Sequence, residues 1–196
     1  ALAIDPQALL LDEPLSALDA SIRGHLRDQI RALQKRLGIT TLLVTHDQEE
    51  ALVMADKVAV LKDGRLLQID TPQHLYEAPA TTTVAAFVGL STIWAVTVSA
   101  SGWIDTGFAQ IAADTGHRPI GARVHMLVRP EHVQPDPPHG TPNRLEGHPG
   151  TTRFLGAVSR YDFHVRGASQ PALSESRQVA THAIALPPEH IRLLDQ

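Results

Sequence analysis

Residues 8–19 read ALLLDEPLSALD and residues 40–47 read TTLLVTHD, and these two stretches decide the fold of the first half of the chain. Each begins with a short apolar run, as expected for a buried strand, and ends in side chains that carry charge or form hydrogen bonds. The segment between them is long enough for one helix of about 18 residues. A strand, a helix and a second strand in this order predict a parallel β-α-β unit.

The segment between the two strands has the pattern of an amphipathic helix. Its apolar residues recur at intervals of three or four positions and form one face: Ile22, Leu26, Ile30, Leu33 and Leu37. Gly38 follows directly and predicts the end of the helix. The basic residues fall outside that face and are expected to be solvated: Arg23, Arg27, Arg31, Lys35 and Arg36.

Local signals predict further elements up to residue 90. Asp47 is suited to cap a helix over residues 48–55. The pair Asp63-Gly64 lies between two apolar runs and predicts a β-hairpin. Further helices are expected from Pro72 onward and over residues 82–88.

The composition changes after Leu90. Residues 1–90 carry 8 Lys and Arg against 12 Asp and Glu, whereas residues 91–196 carry 9 of each. Short β-branched runs interrupted by Gly and Pro favour small antiparallel strands in the second part. We expect these strands near residues 93–98, 123–129, 156–161, 163–166 and 183–186, with a Pro-rich connection at 135–142 and a polar one at 168–177. The chain is therefore predicted to contain two domains, an α/β domain over residues 1–90 and a small all-β domain over residues 91–196.

The composition also excludes several functional classes. None of the 196 residues is Cys, which excludes disulfides, thiolate metal sites and cysteine nucleophiles. The formal net charge of −4 disfavours a nucleic-acid binder. The longest apolar runs are far shorter than the roughly 20 residues of a membrane span. The chain opens ALAIDP, without Met or a signal-peptide pattern, which predicts the end of a helix running into a strand and hence a fragment of a longer domain.

Three side chains at the predicted strand ends carry the candidate chemistry. Asp12 and Glu13 follow the first strand and His46 follows the second, and ligands of α/β sheets bind at the carboxyl ends of strands. Two adjacent carboxylates repel each other, so such a pair suggests a bound cation or a role in proton transfer. Asp12 suits Mg²⁺, Glu13 could polarise a water for attack on a phosphoryl group, and His46 could donate a hydrogen bond to that group.

These stretches resemble the ATP-binding subunits of ABC transporters. Residues 9–19 are similar to the Walker B motif and D-loop of that family, and residues 45–51, THDQEEA, are similar to its switch-histidine segment. Residues 54–65 and 71–81 narrow the resemblance to importers with a C-terminal TOBE-type domain, such as those for polyamines, ferric iron, maltose or glycerol phosphate. Residues 128–133 and 186–194 resemble elements of that small OB-like β-barrel.

The resemblance implies a fold and a role for each site residue. Residues 1–90 would be the C-terminal part of a P-loop ATPase domain. Asp12 would hold Mg²⁺ through water, Glu13 would be the catalytic base and His46 would stabilise the γ-phosphate of ATP. Asp19 would reach across a nucleotide-sandwich dimer. Ser16 would bind the nucleotide together with Asp12 and Asp19.

The resemblance also implies partners and a location. The partners would be a second ATPase subunit, transmembrane permease subunits and, indirectly, a solute-binding protein outside the membrane. No nucleic-acid partner is expected. The protein would lie on the cytoplasmic face of the membrane and hydrolyse ATP to drive solute uptake.

The sequence departs from the family pattern at the phosphate-binding loop. No G-x-x-x-x-G-K-[ST] segment is present in these 196 residues. Gly102 and Gly107, and Gly116 and Gly121, have the required glycine spacing, but they are followed by Phe108 and Ala122 instead of Lys. The Q-loop and signature segment are also missing. We therefore expect this polypeptide alone neither to bind nor to hydrolyse ATP appreciably.

Two alternatives remain open from the sequence. The chain could come from an ABC-type ATPase outside transport, for example in DNA repair or translation. It could also be a regulatory or small-ligand-binding module in which the ATPase half is vestigial.

Overall fold

The protein is a mixed α/β structure in which β-sheet dominates. The computed structural model describes residues 6–195, so the helix end predicted at residues 1–5 lies outside the described range. The chain divides into two compact units, Ala1–Glu77 and Ala78–Gln196. The domain boundary predicted after Leu90 stays a prediction. No helix in the described range has both the length and the apolar character of a membrane span.

A parallel strand pair organises the first unit. Strands β1 (Ala8–Asp12) and β2 (Thr40–Val44) pair in register, with Ala8 opposite Thr40 and Asp12 opposite Val44. Helix α1 (Ala20–Leu37) connects the two strands. The helix ends at Gly38, whose φ of 61° is left-handed. The predicted strand-helix-strand order is confirmed, including the end of the helix at Gly38.

The rest of the first unit follows the predicted turn and cap signals. Helix α2 (Gln48–Met54) begins after Asp47, and helix α3 (Pro72–Glu77) begins at the predicted Pro. Strands β3 (Val58–Lys62) and β4 (Arg65–Asp70) form an antiparallel hairpin. Asp63 and Gly64 turn this hairpin with φ values of 51° and 73°, as a two-residue turn with two left-handed positions requires.

The expected burial of the parallel strands is wrong in this chain. Leu10 is 74% exposed, Leu42 is 61% exposed and Val44 is 53% exposed. Leu10 lies directly opposite Leu42 in the register, so these side chains share one face of the pair. A continuous apolar run indicates that a strand favours apolar neighbours on both faces. In the described residues nothing covers the face that carries Leu10, Leu42 and Val44.

The first helix of the second unit is α4 (Thr82–Val88), and the described elements after it are mainly strands. In chain order the strands are β5 (Thr92–Ala100), β6 (Trp103–Asp105), β7 (Gln110–Ala112), β8 (Arg123–Val128), β9 (Gln134–Pro135), β10 (Arg144–Phe154), β11 (Ser159–Val165), β12 (Ala172–Ser176), β13 (Ala183–Ala185) and β14 (Arg192–Leu194). Short 3₁₀ turns at Pro130–His132 and Pro188–His190 follow β8 and precede β14. The unit is antiparallel, as predicted.

Two five-stranded sheets share the core of the second unit. One has the order β12-β11-β10-β13-β9 and the other has the order β14-β8-β5-β6-β7. Val96 and Met126 from one sheet belong to the same buried cluster as Phe163 and Ile184 from the other. Alternate residues of β5 and β11 are buried, which is the pattern of strands with one face on a core.

The strand predictions in the second unit need correction at three places, and the short strands β6, β7, β9 and β14 were not predicted. Residues 155–158 form a turn closed by the bond from Leu155 N–H to the Val158 carbonyl, and β11 then runs through Asp162 without a break. The stretch predicted as a polar connection contains β12, because its small residues Ala172 and Ser174 fit into the buried face. The longest strand, β10, was missed because Pro149, with Gly147 and Gly150 nearby, resembles a loop. In the structure Gly147 and Pro149 pair with β11, and the register shifts between Pro149 and Thr152.

Candidate functional site

The parallel strands bring the predicted site residues to one edge. Asp12 and Val44 are the last paired residues of β1 and β2. The backbone N–H of Glu13 donates to the Val44 carbonyl at 2.8 Å, so the pairing extends one residue beyond the strand. Glu13 and the segment from Thr45 to Asp47 therefore leave the sheet side by side.

Glu13 and His46 are in direct contact at this edge. His46 Nδ1 lies 2.9 Å from Glu13 Oε1, although the two residues are 33 positions apart in the chain. The hydrogen bond and the negative charge of Glu13 raise the pKa of His46 above its usual value near 6.5. The pair is reachable from solvent, with the Glu13 side chain 45% exposed and the His46 side chain 74% exposed.

The backbone of Glu13 is held in an unusual conformation. Its φ of 45° is left-handed, a region that costs a non-glycine residue about 1–3 kcal/mol. The Glu13 carbonyl accepts hydrogen bonds from the Ser16 N–H at 3.3 Å and the Ser16 hydroxyl at 3.0 Å. These bonds hold the turn that directs the Glu13 side chain away from the path of β1.

The loop after Glu13 is anchored by a buried leucine. Leu15 has no exposed surface, and its carbonyl accepts the Leu18 N–H at 3.2 Å. Asp19 is the N-cap residue of α1, but its side chain does not bond to the helix. Within residues 6–195, neither Asp12 nor Asp19 makes a side-chain hydrogen bond or ion pair, and both are exposed. Of the five predicted residues, Glu13, His46 and Ser16 are linked by hydrogen bonds and the two aspartates stand apart.

Asp47 fixes the segment that carries His46. Its Oδ1 accepts the backbone N–H of Glu49 at 2.8 Å and of Glu50 at 3.2 Å, which caps α2 as predicted. Burial acts to raise the pKa of Asp47, but these two amides and the guanidinium of Arg23 outweigh it and lower the pKa. The Thr45 hydroxyl donates to the buried Glu50 carboxylate at 2.7 Å, which ties the other side of His46 to α2.

Three arginines of α1 point to α2 and its flanks, which corrects the expectation that they are solvated. Arg23 pairs with Asp47 at 3.1 Å, Arg27 pairs with Glu49 at 2.9 Å, and Arg31 pairs with Asp56. Their side chains are only 31%, 12% and 18% exposed. A spacing of four positions places the three on one stripe of the helix, and this spacing opposite an acidic segment is the signal that could have identified them.

The strand edge offers oxygen ligands of the kind that Mg²⁺ prefers. Asp12 is an exposed carboxylate next to a second carboxylate, and Mg²⁺ is usually held by one or two carboxylates together with waters and phosphate oxygens. Among residues 6–195 no three His, Cys, Asp or Glu side chains are grouped as ligands for a metal ion. As a single exposed carboxylate, Asp12 would fit an ion that is also held by waters and a phosphate ligand.

Comparison with known proteins places the chain in a family. It is 40% identical over 191 residues to the Fe(3+) ions import ATP-binding protein FbpC 2 of Rhizobium meliloti, covering 92% of this chain and 47% of the relative. It is 39% identical over 170 residues to the spermidine/putrescine import ATP-binding protein PotA of Thermobifida fusca, covering 82% of this chain and 44% of the relative. The chain belongs to the import ATP-binding subunits of ABC transporters, and it spans about half the length of the curated relatives it matches.

Two further comparisons add little. No protein-family model matches the chain. The solved structure of a cytoplasmic molybdate-binding protein, ModG with molybdate bound, aligns with 54% of this chain and 96% of its own, at 15% sequence identity and a TM-score of 0.46. That score is too low to assign the fold of the second unit.

Proposed function

We propose that this chain provides the water-activating edge of an ABC importer ATPase, whose hydrolysis of ATP powers solute uptake. The observation that carries the proposal is the 2.9 Å contact between Glu13 and His46 at the carboxyl ends of two parallel strands. The two relatives reported above are both named as import ATP-binding proteins and support the same class. They also favour import over an ABC-type ATPase outside transport. The two named here serve different solutes, so the cargo of this chain stays open.

The chemistry follows from the charge states of the two side chains. Glu13 accepts a proton or polarises a water for in-line attack on the terminal phosphoryl group. A raised pKa favours the doubly protonated imidazole of His46, in which both ring nitrogens are donors. Nδ1 then donates to Glu13 while Nε2 donates to a phosphoryl oxygen, so one side chain orients the base and stabilises the charge that develops on the phosphate.

The remaining site residues would have separate roles. Asp12 would hold Mg²⁺ through water, and the ion would supply positive charge to neutralise the phosphates. Ser16 would act through the hydrogen bonds that shape the Glu13 turn. Asp19, exposed at the start of α1, would contact the second ATPase subunit of a nucleotide-sandwich dimer. We further propose that closure of this dimer acts on transmembrane permease subunits at the cytoplasmic face of the membrane, with a solute-binding protein outside it.

A chimera tests the proposal directly. The amino-terminal part of a curated relative, joined to residues 6–196 of this chain, is expected to hydrolyse MgATP. Glu13→Gln should then lower phosphate release at least 100-fold, since the base is lost. The matched control is Glu49→Gln, which removes an acidic group that pairs with Arg27 and should leave hydrolysis nearly unchanged. Equal activity of the Glu13→Gln chimera and its parent would overturn the proposal.

The 196-residue chain by itself is expected to be inactive. Without a lysine and a nest of backbone amides around the phosphates, the charge of MgATP is not compensated. Isothermal titration of the purified chain with MgATP should show no binding in the micromolar range. ATPase activity that disappears on Glu13→Gln would contradict this expectation.

One observation favours the alternative of a ligand-binding module. The second unit contains a cavity of about 510 Å³, lined on different strands and loops by Trp94, Phe108, His125 and Gln170. This volume lies within the range of small-molecule sites. Calorimetry of the chain against sulfate, phosphate and maltose tests this function, and Trp94→Phe should weaken any heat that arises from this cavity.

A further inference from the structure

Arg23 joins two segments of the site that are distant in sequence. Its Nη2 donates to the Leu18 carbonyl at 2.9 Å, in the loop between Glu13 and α1. Its Nη1 donates to Asp47 Oδ2 at 3.1 Å, in the residue that follows His46. One guanidinium therefore holds the loop after the base and the segment of the histidine at the same time.

These two bonds close a ring of contacts around Glu13 and His46. Starting from Glu13, its carbonyl is held by Ser16, the loop continues to Leu18, and the Leu18 carbonyl is held by Arg23. Arg23 then holds Asp47, which adjoins His46, and His46 returns to the Glu13 carboxylate. A displacement of the loop at Leu18 must therefore stretch a bond to the segment that carries His46.

We propose that Arg23 is a positioning residue that couples the loop of residues 15–19 to the His46 segment and so holds the Glu13–His46 contact in place. This inference rests on the proposed function, because it assigns Arg23 to the same site. Arg23 would act through its two partners, Leu18 and Asp47. If contact with the partner subunit moved Asp19 of this chain, the displacement would be transmitted to His46 through Leu18, Arg23 and Asp47.

The geometry of the side chain matters more than its charge. A guanidinium presents several N–H donors in a rigid plane and can serve two acceptors in fixed directions, whereas an ammonium is a single flexible point charge. Arg23→Lys keeps the positive charge beside Asp47 but removes this fork. Arg27→Lys is the matched control, because Arg27 joins α1 to α2 through Glu49, whereas the described bonds to Leu18 and Asp47 come from Arg23.

The test uses the full 196-residue chain without nucleotide. The ¹⁵N resonance of His46 Nδ1, observed at one fixed pH, reports whether this nitrogen is bonded to Glu13. Arg23→Lys is expected to move this resonance to the value of a solvent-exposed histidine, and Arg27→Lys is expected to leave it in place. A role limited to holding α1 against α2 would affect both variants equally. Where Arg23→Lys does not fold, Asp47→Asn serves instead, since Asn still caps α2 but no longer offers Arg23 a carboxylate.

A kinetic measurement on the chimera complements the spectrum. Arg23→Lys is expected to lower kcat about 10- to 100-fold with KM nearly unchanged, as a small misplacement of reacting groups does. An unchanged His46 resonance in Arg23→Lys would overturn the inference, whether or not the chimera hydrolyses ATP. A chimera that never hydrolyses ATP, with the resonance shift present, would overturn the proposed function and leave the coupling by Arg23 intact.

Discussion

Asp136 illustrates at the scale of one residue how backbone donors set the charge of a carboxylate. Burial acts to raise its pKa, but the backbone N–H groups of His182, Thr181 and Ala183 and the Thr181 hydroxyl together outweigh it. The result is a pKa of about 2. The carboxylate therefore clamps the chain before β13 against the chain after β9.

A pH dependence of stability follows for Asp136. Because its pKa is lowered on folding, from about 3.9 in an unfolded chain, its contribution is complete above pH 5 and is lost as the pH falls from about 4 toward 2. After a discount for its partial exposure, this contribution is about 1–2 kcal/mol. Urea unfolding between pH 2.5 and 6 should show a shallower loss of stability for Asp136→Asn than for the wild type.

The matched control for Asp136 is Asp114→Asn. Asp114 is exposed, and its carboxylate accepts the backbone N–H of Gly116 at 2.9 Å. This substitution should leave the slope of stability against pH close to that of the wild type. A slope that does not differ between Asp136→Asn and the wild type would show that the four donors do not act as described.

The site residues differ in how far the sequence could identify them. Glu13 and His46 follow apolar runs that end in polar side chains, and parallel pairing alone brings such ends together. Their roles stay predictions. Arg23 could not be identified from the same pattern, because its function depends on the position of Leu18 and Asp47 in space. The left-handed φ of Glu13 is likewise invisible in the sequence, since a non-glycine residue gives no warning of it.

At the scale of elements, helix α1 offers a comparison between two glycines. Gly38 ends the helix with φ of 61°, and its N–H donates to the Lys35 carbonyl. Gly24 lies inside the helix, where an added Cβ would meet only Arg27 Nη2 at 3.8 Å, an ordinary contact. The same substitution should therefore have opposite effects at the two positions.

The expected values follow from backbone conformation. Gly38→Ala should destabilise the protein by about 1 kcal/mol, because a Cβ is unfavourable in the left-handed region. Gly24→Ala should stabilise it by about 0.5–1 kcal/mol, because alanine loses less backbone entropy in a helix. Urea unfolding followed by circular dichroism measures both. Changes of the same sign in the two variants would contradict this account of the C-terminal end of α1.

The elements that the sequence predicted well are those with local signals. Helix α1 has an apolar period and a glycine stop, α2 has its Asp47 cap, and the β3–β4 turn has Asp63 and Gly64. Strands β10 and β12 depend on pairing with β11, and their Gly, Pro and Ser residues carry the opposite local preference. Burial of β1 and β2 was mispredicted for a related reason, because a pattern of apolar residues does not identify what covers them.

At the scale of the whole molecule, helix α4 belongs to the second unit, although the sequence predicts residues 1–90 as one domain. Ala85 has no exposed surface and packs in one cluster with Leu127 of β8 and Leu194 of β14. Arg129 is 3% exposed, and its Nη1 donates to the carbonyls of Ala85, Gly89 and Leu90 at 3.0–3.1 Å. The strand predicted over residues 123–129 places Arg129 at a strand end; in the structure Arg129 also bonds one carbonyl within α4 and two in the residues that follow it.

This arrangement predicts how the second unit tolerates truncation. A fragment of residues 78–196 keeps α4 and the carbonyls of Ala85, Gly89 and Leu90, whereas a fragment of residues 91–196 loses them and uncovers Leu127. Loss of hydrogen bonds to a charged group costs about 1.5–3 kcal/mol, so the shorter fragment should unfold at lower urea concentration. Arg129→Met separates the two contributions: it should destabilise the longer fragment more than the shorter one, because only the longer fragment contains the carbonyls of Ala85, Gly89 and Leu90. Equal unfolding midpoints of the two fragments would show that α4 contributes no stability to the second unit.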